Sequence, residues 1–378
     1  MQSLTPSQKI WKKFKRNKLA VAGLGFILFM VLMGVLGYHV CTDKSPYANT
    51  MYLQLSNKKP MRSFVFFKTE KLSNVEKKGF FHTLLFGQEL DYRAMPITDY
   101  RFSSDSLFVK EYIGDDELAE ESGYSILEVS GKTTISDKDK EDFLQEHVFK
   151  QTFYFGTDIY GRDLYSRLIL GVRVSLSVGL MAVAISLFIG LSLGAIAGYF
   201  GGKIDAAISW FMNVIWALPS LLLVIAISFA LGKGFWQIFI AVGLSTWVDV
   251  ARLVRGQVMA LKQVEYVEAA KVLGYSSSRT IIKHLLPNMA GPILVVASAN
   301  FASAILLETG LSFLGFGAQP PMPSWGSMIK EHYAYIIMDA AYLAILPGLA
   351  IMLTVYAFNV LAIGLRDAFD VKGQHTNV

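Results

Sequence analysis

The sequence is poor in charge and holds a single cysteine. Charged residues make up 17% of its 378 positions, whereas 53% of them are hydrophobic. Soluble domains carry charge at about 25% of positions, so this composition favours a protein that crosses a bilayer. Cys41 has no second cysteine to pair with, and no histidine stands at a metal-ligand spacing from it. We therefore expect neither a disulfide framework nor a metal or cofactor bound by this chain.

A phosphate-binding loop for nucleotides is also missing from the sequence. The nearest approach to GxxxxGK[ST] is Gly131-Lys132-Thr133, but the position that requires the first glycine is Ile126. The polar stretch 41–155 shows no nucleophile motif and no His/Cys cluster. The sequence thus predicts no catalytic residues, and the chain is not expected to be an enzyme.

Six apolar stretches can supply membrane-spanning helices, although the fourth must borrow flanking residues to reach about 20. They are Leu19–Val40, Leu168–Phe200, Ile204–Leu231, Phe235–Val250, Pro287–Leu314 and Ala340–Leu365. Backbone groups in lipid must be satisfied within their own segment, which predicts helices. We predict an all-α polytopic membrane protein with six spans.

The basic residues indicate how these spans are oriented. Five of them stand directly before the first span: Lys12, Lys13, Lys15, Arg16 and Lys18. Beside an apolar run, such a cluster indicates a cytoplasmic anchor rather than a nucleic-acid patch. Further basic residues fall in 251–286, so the positive-inside rule predicts a cytoplasmic segment 1–18 and a cytoplasmic tail 371–378. The first span, 19–40, lacks a small-x-small cleavage site and is expected to be retained.

Residues 41–155 interrupt the apolar pattern with a polar, charged segment. This segment is too long for an ordinary loop, and it has strand-like stretches at Arg62–Lys68 and Tyr124–Val129. The predicted orientation puts it outside the cytoplasm. We expect an extracytoplasmic α+β insertion, of no assigned role, followed by a membrane core at 156–370.

Small residues recur every four positions in the second predicted span. They are Ser186, Gly190, Gly194 and Gly198. This spacing puts them on one helix face, where a neighbouring backbone can approach closely. The pattern predicts helix packing within a bundle.

The segment 262–288 is the most informative part of the sequence. It reads KQVEYVEAAKVLGYSSSRTIIKHLLPN. Small and apolar residues recur here at three- and four-residue steps: Val264, Val267, Ala270, Leu273 and Gly274. This spacing predicts a short helix with a narrow small-and-apolar face. Gly274 is a natural helix stop, and Ser276 or Ser277 can cap a second helix.

The second helix of this segment has its own apolar side, and a proline limits it. The apolar positions are Ile281, Ile282, Leu285 and Leu286, and Pro287 ends or bends the helix. The first helix exposes a small, apolar surface around Ala269, Ala270 and Gly274. Such a surface suits docking into a groove on a partner protein, or equally an amphipathic helix resting on lipid.

The same segment resembles the EAA loop of ABC importer permeases. The resemblance rests on Glu268-Ala269-Ala270, then Gly274 after three residues, then Leu286-Pro287. His284 stands where an aliphatic residue is usual, although the peptide branch often has histidine there. The resemblance implies a coupling helix that sits in a cleft of a cytoplasmic ATPase. Glu268, Ala269, Ala270 and Gly274 would face that ATPase.

Further motifs resemble the "C" subunits of oligopeptide and dipeptide permeases, in the peptide/nickel family. They are FKRNKLAVAGL at 14–24, GTDIYGRDLYSRLILGVRVSL at 156–176, ARLVRGQV at 251–258, LSFLGFGAQPPMPSWG at 311–326 and GLRDAFD at 364–370. The resemblance covers 1–40 and 156–370, and the long insertion 41–155 departs from it. It implies a six-helix permease bundle in a bacterial inner membrane.

The resemblance also implies partners and a task. The partners would be a second, homologous permease, two ATPase subunits that hold ATP and Mg, and an extracytoplasmic binding protein. The task would be ATP-driven uptake of short peptides, or of nickel chelates or peptide-like antibiotics as in relatives. A secondary transporter would need ionisable residues at mid-bilayer in broken helices, often in inverted repeats. Glu308 is the one candidate in the sequence, and no repeat is evident.

Several polar residues near the spans keep two interpretations. Glu308 lies among apolar residues and is either a structural partner or a gating or substrate residue. Asp249, Arg252 and Arg255 are expected to snorkel or to form interhelical ion pairs. Trp325 follows a proline-rich stretch and is predicted to be an interfacial aromatic that helps to seal the outer gate.

The stretch 156–163 also keeps two interpretations. Its aspartates, Asp158 and Asp163, could bind a cation. Turn chemistry favours instead a turn that caps the start of the second span.

Overall fold

The computed structural model describes residues 5–369, apart from 71–74, 77, 104–105, 116–118, 120, 126–136 and 233. The predicted tail 371–378, positions 131–133 and residues 126–129 of the predicted strand Tyr124–Val129 lie outside the described residues. Contacts divide the chain into two units. The helical unit comprises Met1–Leu32, Val172–Lys330 and Pro347–Val378, and the sheet unit comprises Met33–Gly171 and Glu331–Leu346.

Helices dominate the described residues, as predicted. They are α1 Pro6–Arg16, α2 Lys18–Val40, α3 Phe80–Phe86, α4 Asp137–His147, α5 Leu164–Phe200, α6 Gly202–Trp216, α7 Ser220–Leu231, α8 Phe235–Leu261, α9 Glu265–Val272, α10 Ser277–Thr280, α11 Ala290–Leu314, α12 Trp325–His332 and α13 Tyr342–Phe369. Between α10 and α11 lie a π-helical turn, Ile281–Leu285, and one further turn, Leu286–Asn288. Short 3-10 turns occur at Pro46–Ala48, Leu53–Leu55 and Tyr333–Ile337.

Five helices are long and apolar enough to cross a membrane: α2, α5, α8, α11 and α13. The pair α6 and α7 passes the same test only when it is taken together, and its halves meet at 94°. Counting this pair as one span gives up to six in the described part of the chain, the number that the sequence predicted.

The predicted third span, Ile204–Leu231, is wrong as a single straight helix. α6 ends at Trp216 and α7 begins at Ser220, directly after Pro219. Proline has no N–H to donate, and it disfavours helical backbone at the preceding residue, here Leu218. The apolar run continues through this point, so hydropathy alone missed the break.

The fourth span is longer than the predicted Phe235–Val250. α8 continues to Leu261, so Arg252 and Arg255 are part of this helix. Val254 and Val258, in this extension, are fully buried. Arg252 and Arg255 therefore lie on the continuation of this span.

The basic N-terminal segment forms a helix of its own. Thr5 caps α1 by accepting the backbone N–H of Gln8, whose side chain accepts the N–H of Thr5 in return. Asn17 separates α1 from α2, and its side-chain oxygen accepts the N–H of Ala20 at 3.1 Å. Phe14 is buried with Ala20 and Ala368 in the helical unit. The basic residues predict a charged anchor here, but they do not predict this capped helix.

The sheet unit contains the predicted α+β insertion. Its strands are β1 Arg62–Glu70, β2 Tyr92–Ser103, β3 Ser106–Glu111, β4 Glu121–Ser125 and β5 Val148–Phe153. They form an antiparallel sheet in the order β4-β3-β2-β1-β5. The first predicted strand, Arg62–Lys68, is confirmed as the larger part of β1.

Both faces of this sheet are covered. Phe66 and Phe67 are adjacent on β1 and therefore point to opposite faces. Phe67 packs in a cluster with Leu107 and with Phe143 of α4. Phe66 packs in a second cluster with Leu55 and Phe153. A core on each face explains why this insertion folds as a unit and not as a loop.

Candidate functional site

The segment 262–288 forms the predicted helix, glycine turn and second helix. α9 ends at Val272, and Gly274 follows in the left-handed region with φ of 75°. The backbone N–H of Tyr275 donates to the carbonyl oxygen of Ala270 at 3.1 Å, and that of Leu273 to Ala269 at 3.0 Å. The six-to-one bond from Tyr275 is typical of a glycine-terminated helix.

The second helix is capped by the first of the two predicted serines. The Ser276 hydroxyl accepts the backbone N–H of Arg279 at 3.3 Å. The Tyr275 ring stacks on His284 with centroids 5.6 Å apart, and the Arg279 guanidinium lies 4.2 Å from the centroid of Tyr275. These contacts hold the turn residue Tyr275 against the second helix.

One side of this segment packs onto the helix before it. Val267, Leu285 and Met289 are buried in one cluster with Val254 and Val258 of α8. Ala270 is buried as well, so the prediction that it lies on the exposed surface is wrong. Its position one turn after Val267 brings it to the inner side of α9.

The opposite side of α9 is open. Val272 is 88% exposed and Leu273 is 71% exposed, so the small-and-apolar face that the spacing predicted is not continuous: it is buried at Val267 and exposed at Leu273. Glu268 and Ala269 are exposed too, and a Cβ added to Gly274 would meet no atom within 4 Å. We call Glu268, Ala269, Val272, Leu273 and Gly274 the α9 outer surface.

The Leu286–Pro287 pair lies where the segment bends toward α11. The N–H of Leu286 donates to the Ile281 carbonyl, which closes the π-helical turn. Pro287 is exposed within the next turn, and α11 begins only at Ala290. Asn288 donates to the carbonyl of His284 at 2.6 Å and to the Tyr266 hydroxyl at 3.2 Å. The bend is thereby tied back to α9.

The small residues of α5 lie against α8. A Cβ at Gly190 would come within 2.5 Å of Val250, and one at Gly194 within 2.5 Å of the Ala251 carbonyl oxygen. A Cβ at Gly198 would lie 2.7 Å from the Arg255 carbonyl oxygen. Ser186 is fully buried, and its hydroxyl donates to the carbonyl of Val183 at 3.1 Å. The two helices approach at backbone distance because these positions lack side-chain bulk.

An interhelical ion pair links α6 to α8. Arg255 donates through Nε and Nη2 to the two carboxylate oxygens of Asp205 at 2.5 and 2.6 Å. Arg252 donates to the Asn213 side chain at 2.8 Å and lies over the Trp216 ring. Ion pairing was among the predicted roles of these arginines, but Asp205 was missed as the partner because it is distant in sequence.

Glu308 is fully buried in α11 and lies in a short polar chain. The Ser312 hydroxyl donates to Glu308 Oε1 at 2.6 Å, and the Ser312 and Ser324 hydroxyls lie 3.2 Å apart. The carboxylate thus helps to fasten the segment that leads into α12 onto α11. This geometry favours the structural role among the two that were predicted.

Trp325 begins α12 and is fully buried. The prediction of an interfacial aromatic is therefore wrong for the position of this ring. Next to it, a Cβ at Gly326 would lie within 2.8 Å of Ser312 and of Thr309. Close packing of α12 on α11 explains the burial.

The stretch 156–163 forms the predicted turn before α5. Asp163 accepts the backbone N–H and the hydroxyl of Ser166 at 3.1 and 2.5 Å, which caps the helix. Burial raises the pKa of the Asp163 carboxyl, while hydrogen bonds from Ser166 and Thr42 oppose that rise. The Asp158 carboxylate is paired with Arg162, whose Nε donates a hydrogen bond to it at 2.6 Å. Because Arg162 also pairs with Glu331 at 2.7 Å, its positive charge already compensates these acids.

Several long apolar helices, packed through small residues, define a polytopic membrane protein. Residues 190–372 match the family model described as binding-protein-dependent transport system inner membrane component. Residues 5–60 match the N-terminal TM domain of oligopeptide transport permease C. The chain belongs to this family of ABC importer permeases, in its peptide/nickel branch.

Curated relatives of the chain are permeases too. It is 44% identical over 219 residues to the dipeptide transport system permease protein DppC of Alkalihalophilus pseudofirmus, a match that covers 58% of this chain and 72% of the relative. The glutathione transport system permease protein GsiD of Shigella flexneri is 43% identical over 219 residues, with the same shares of both chains covered.

Solved structures of ABC transporters also align with the chain. An inward-facing structure of the MetNI methionine ABC transporter is 18% identical with a TM-score of 0.42, covering 53% of this chain and 96% of that chain. A structure of an amino acid ABC transporter is 19% identical, with a TM-score of 0.40. That match covers 53% of this chain and 94% of the other chain.

Proposed function

We propose that the chain is one of two permease subunits in an ATP-driven importer of short peptides, and that it is coupled to a separate ATPase through 262–288. The names of the relatives, a dipeptide and a glutathione permease, support a peptide substrate. A nickel chelate or a peptide-like antibiotic is the alternative substrate within the same family.

The α9 outer surface is the observation that carries this proposal. It combines exposed Val272 and Leu273 with a glycine that leaves room for a partner's atoms. A short helix of this kind fits a hydrophobic groove on another protein. The inner side of α9 is packed on α8 through Val267 and tied to the start of α11 through Asn288. Movement of a docked partner would therefore pull on two spans together.

The remaining parts of the importer complete the proposal. ATP and Mg bind the two ATPase subunits, a homologous permease forms the other half of the pathway, and a binding protein delivers the peptide. The chain lies in the inner membrane with 1–18, 262–288 and the C-terminus on the cytoplasmic side. The basic residues support this orientation, which puts 41–155 on the other side.

Gly274→Asn tests the coupling role without demanding a new backbone conformation. Asparagine tolerates the left-handed region better than other residues, and no atom of this chain lies within 4 Å of the added Cβ. Gly202→Asn is the matched control, because Gly202 also has a positive φ, of 54°, and open space around its Cβ. Dipeptide uptake and recovery of the ATPase with the purified permease are measured for both variants.

The expected result is a selective loss. With Gly274→Asn, uptake should fall at least about tenfold, the equivalent of 1.4 kcal/mol of lost docking, while the amount of chain in the membrane stays unchanged. Gly202→Asn should transport normally. Uptake at the wild-type rate by Gly274→Asn would contradict the coupling role. If the wild-type complex takes up no peptide at all, only the proposed substrate class is contradicted.

A further inference from the structure

The helix α3 of the sheet unit is an unusual element for a water-facing surface. Its sequence is FFHTLLF, with no Asp, Glu, Lys or Arg. Phe81 is 78% exposed, Phe80 is 64% exposed and Phe86 is 58% exposed. None of its seven side chains is fully buried, and a helix this short has little to stabilise it in water. These exposed rings indicate that α3 is covered by something other than water.

This helix is fastened to the end of a membrane span. The Phe80 ring lies edge-on to His39, the second-last residue of α2, with centroids 5.4 Å apart. At the other end of α3, a Cβ at Gly87 would lie 2.7 Å from the Tyr38 ring. The backbone N–H of Gln88 also donates to the Lys44 carbonyl at 3.0 Å. Both ends of α3 are therefore held at the point where the chain leaves α2.

Because α2 is long and apolar enough to cross the hydrocarbon core, its end is expected at the boundary with water. The last residues of α2 already expose apolar side chains, including Leu36 and Val40, as expected for a surface that faces lipid. The exposed rings of α3 continue this lipid-facing surface beyond the end of the span. Helices that lie in the plane of the interface present Trp, Phe and Leu to the acyl chains at this depth.

We infer that α3 is an interfacial helix that inserts its phenylalanines into the outer part of the bilayer and fixes the sheet unit against the membrane. The ligand is the lipid surface itself, and the absence of any strong charge on α3 favours acyl chains and glycerol over a charged headgroup. The inference depends on α2 lying in a membrane and not on what the importer carries.

Quenching of a fluorescent label tests this placement. The complete transporter complex, with Cys41→Ser, is labelled with bimane at Phe81→Cys or at Phe86→Cys and reconstituted in lipid nanodiscs. Removal of the native cysteine leaves one label site in this chain. The cysteines of the other subunits are replaced or blocked before labelling. Spin-labelled phosphatidylcholine quenches labels in the bilayer, and iodide quenches labels in water. Leu32→Cys in α2 serves as the lipid-facing control and Tyr100→Cys on β2 as the water-facing control.

The inference predicts that labels at 81 and 86 behave like the label at 32. The spin-labelled lipid should quench them more strongly than the label at 100, and iodide should quench them less. Strong iodide quenching at both positions would show a water-exposed helix and overturn the inference. Protection from both quenchers would show that a protein covers α3, and that result would overturn it as well.

Discussion

The backbone N–H of Tyr275 donates to the carbonyl oxygen of Ala270, 3.1 Å away across the turn at Gly274. This bond closes α9, and Ala270 lies on the inner side of that helix, where it is buried. Its neighbour Ala269 is exposed on the α9 outer surface. Two adjacent alanines of one motif therefore have different neighbours, and substitutions at them should have separable effects.

Ala270→Leu should destabilise the chain, whereas Ala269→Leu should not. Three extra carbon atoms at a packed position cost about 1–3 kcal/mol. At Ala269 the same atoms face outward, where they would collide only with a docked partner. Thermal unfolding of the purified permease measures the first effect, and co-purification of the ATPase measures the second. Equal unfolding temperatures for the two variants would contradict the burial pattern.

Gly194→Ala should separate α5 from α8. The added Cβ would come within 2.5 Å of the Ala251 carbonyl oxygen, and backbone cannot move aside as a flexible side chain can. We expect a loss of about 1–3 kcal/mol, measured as a lower unfolding temperature.

Gly256→Ala provides the control for this substitution, since a Cβ at Gly256 would meet no atom within 4 Å. Alanine in a helix interior is favoured over glycine by roughly 0.5–1 kcal/mol, so this variant should be slightly more stable than the wild type. The same sign of effect at both positions would argue against the helix contact.

The Asp205–Arg255 pair should show a measurable coupling energy. Its two hydrogen bonds form a bidentate geometry, but both side chains remain partly exposed. A double-mutant cycle with Asp205→Ala and Arg255→Ala should give up to about 1 kcal/mol at low salt and less at high salt. Strictly additive effects on the unfolding temperature at low salt would mean that the pair contributes nothing to joining α6 and α8.

Glu308 should tolerate glutamine. The amide oxygen of glutamine can accept the Ser312 hydrogen bond that the carboxylate accepts now. Ser312→Ala removes that donor and leaves a buried acceptor unsatisfied, at a cost of about 1–3 kcal/mol. We expect Glu308→Gln to unfold at the wild-type temperature and to transport. A stable Glu308→Gln variant without uptake would show that the negative charge serves transport.

The helix ends of 262–288 could be predicted because their causes are local. Gly274 supplies a positive φ, and Ser276 supplies an acceptor for the first turn of the next helix. The number of spans could be predicted as well, because the length of each apolar run is also a local property. In each of these cases the residues that cause the structure are close together in the sequence.

Other features depended on residues that are distant in sequence. Asp205 and Arg255 lie in different helices, and nothing in either local pattern points to the other. Trp325 looked like an interfacial aromatic, but packing of α12 on α11 buries it. The phase of α9 also escaped prediction, because spacing alone placed Leu273 on the same face as Val267.

The break at Pro219 was readable in principle. A proline within an apolar run has a direct structural meaning, because it removes one backbone donor and restricts the residue before it. In Ile204–Leu231 the strong hydropathy of the whole run nevertheless predicts one continuous span. The 94° angle between α6 and α7, by contrast, depends on packing and was not available from the sequence.

Access of a membrane-impermeant maleimide to Leu273→Cys tests the coupling account most directly. Leu273 is exposed on the α9 outer surface and Cys41 is buried, so labelling of this chain, measured after its purification, reports on one position. In spheroplasts that contain the whole transporter, we predict no labelling until the membrane is opened, and slower labelling when the ATPase is bound. Rapid labelling in intact spheroplasts would put this turn on the outer face, where no cytoplasmic ATPase could dock.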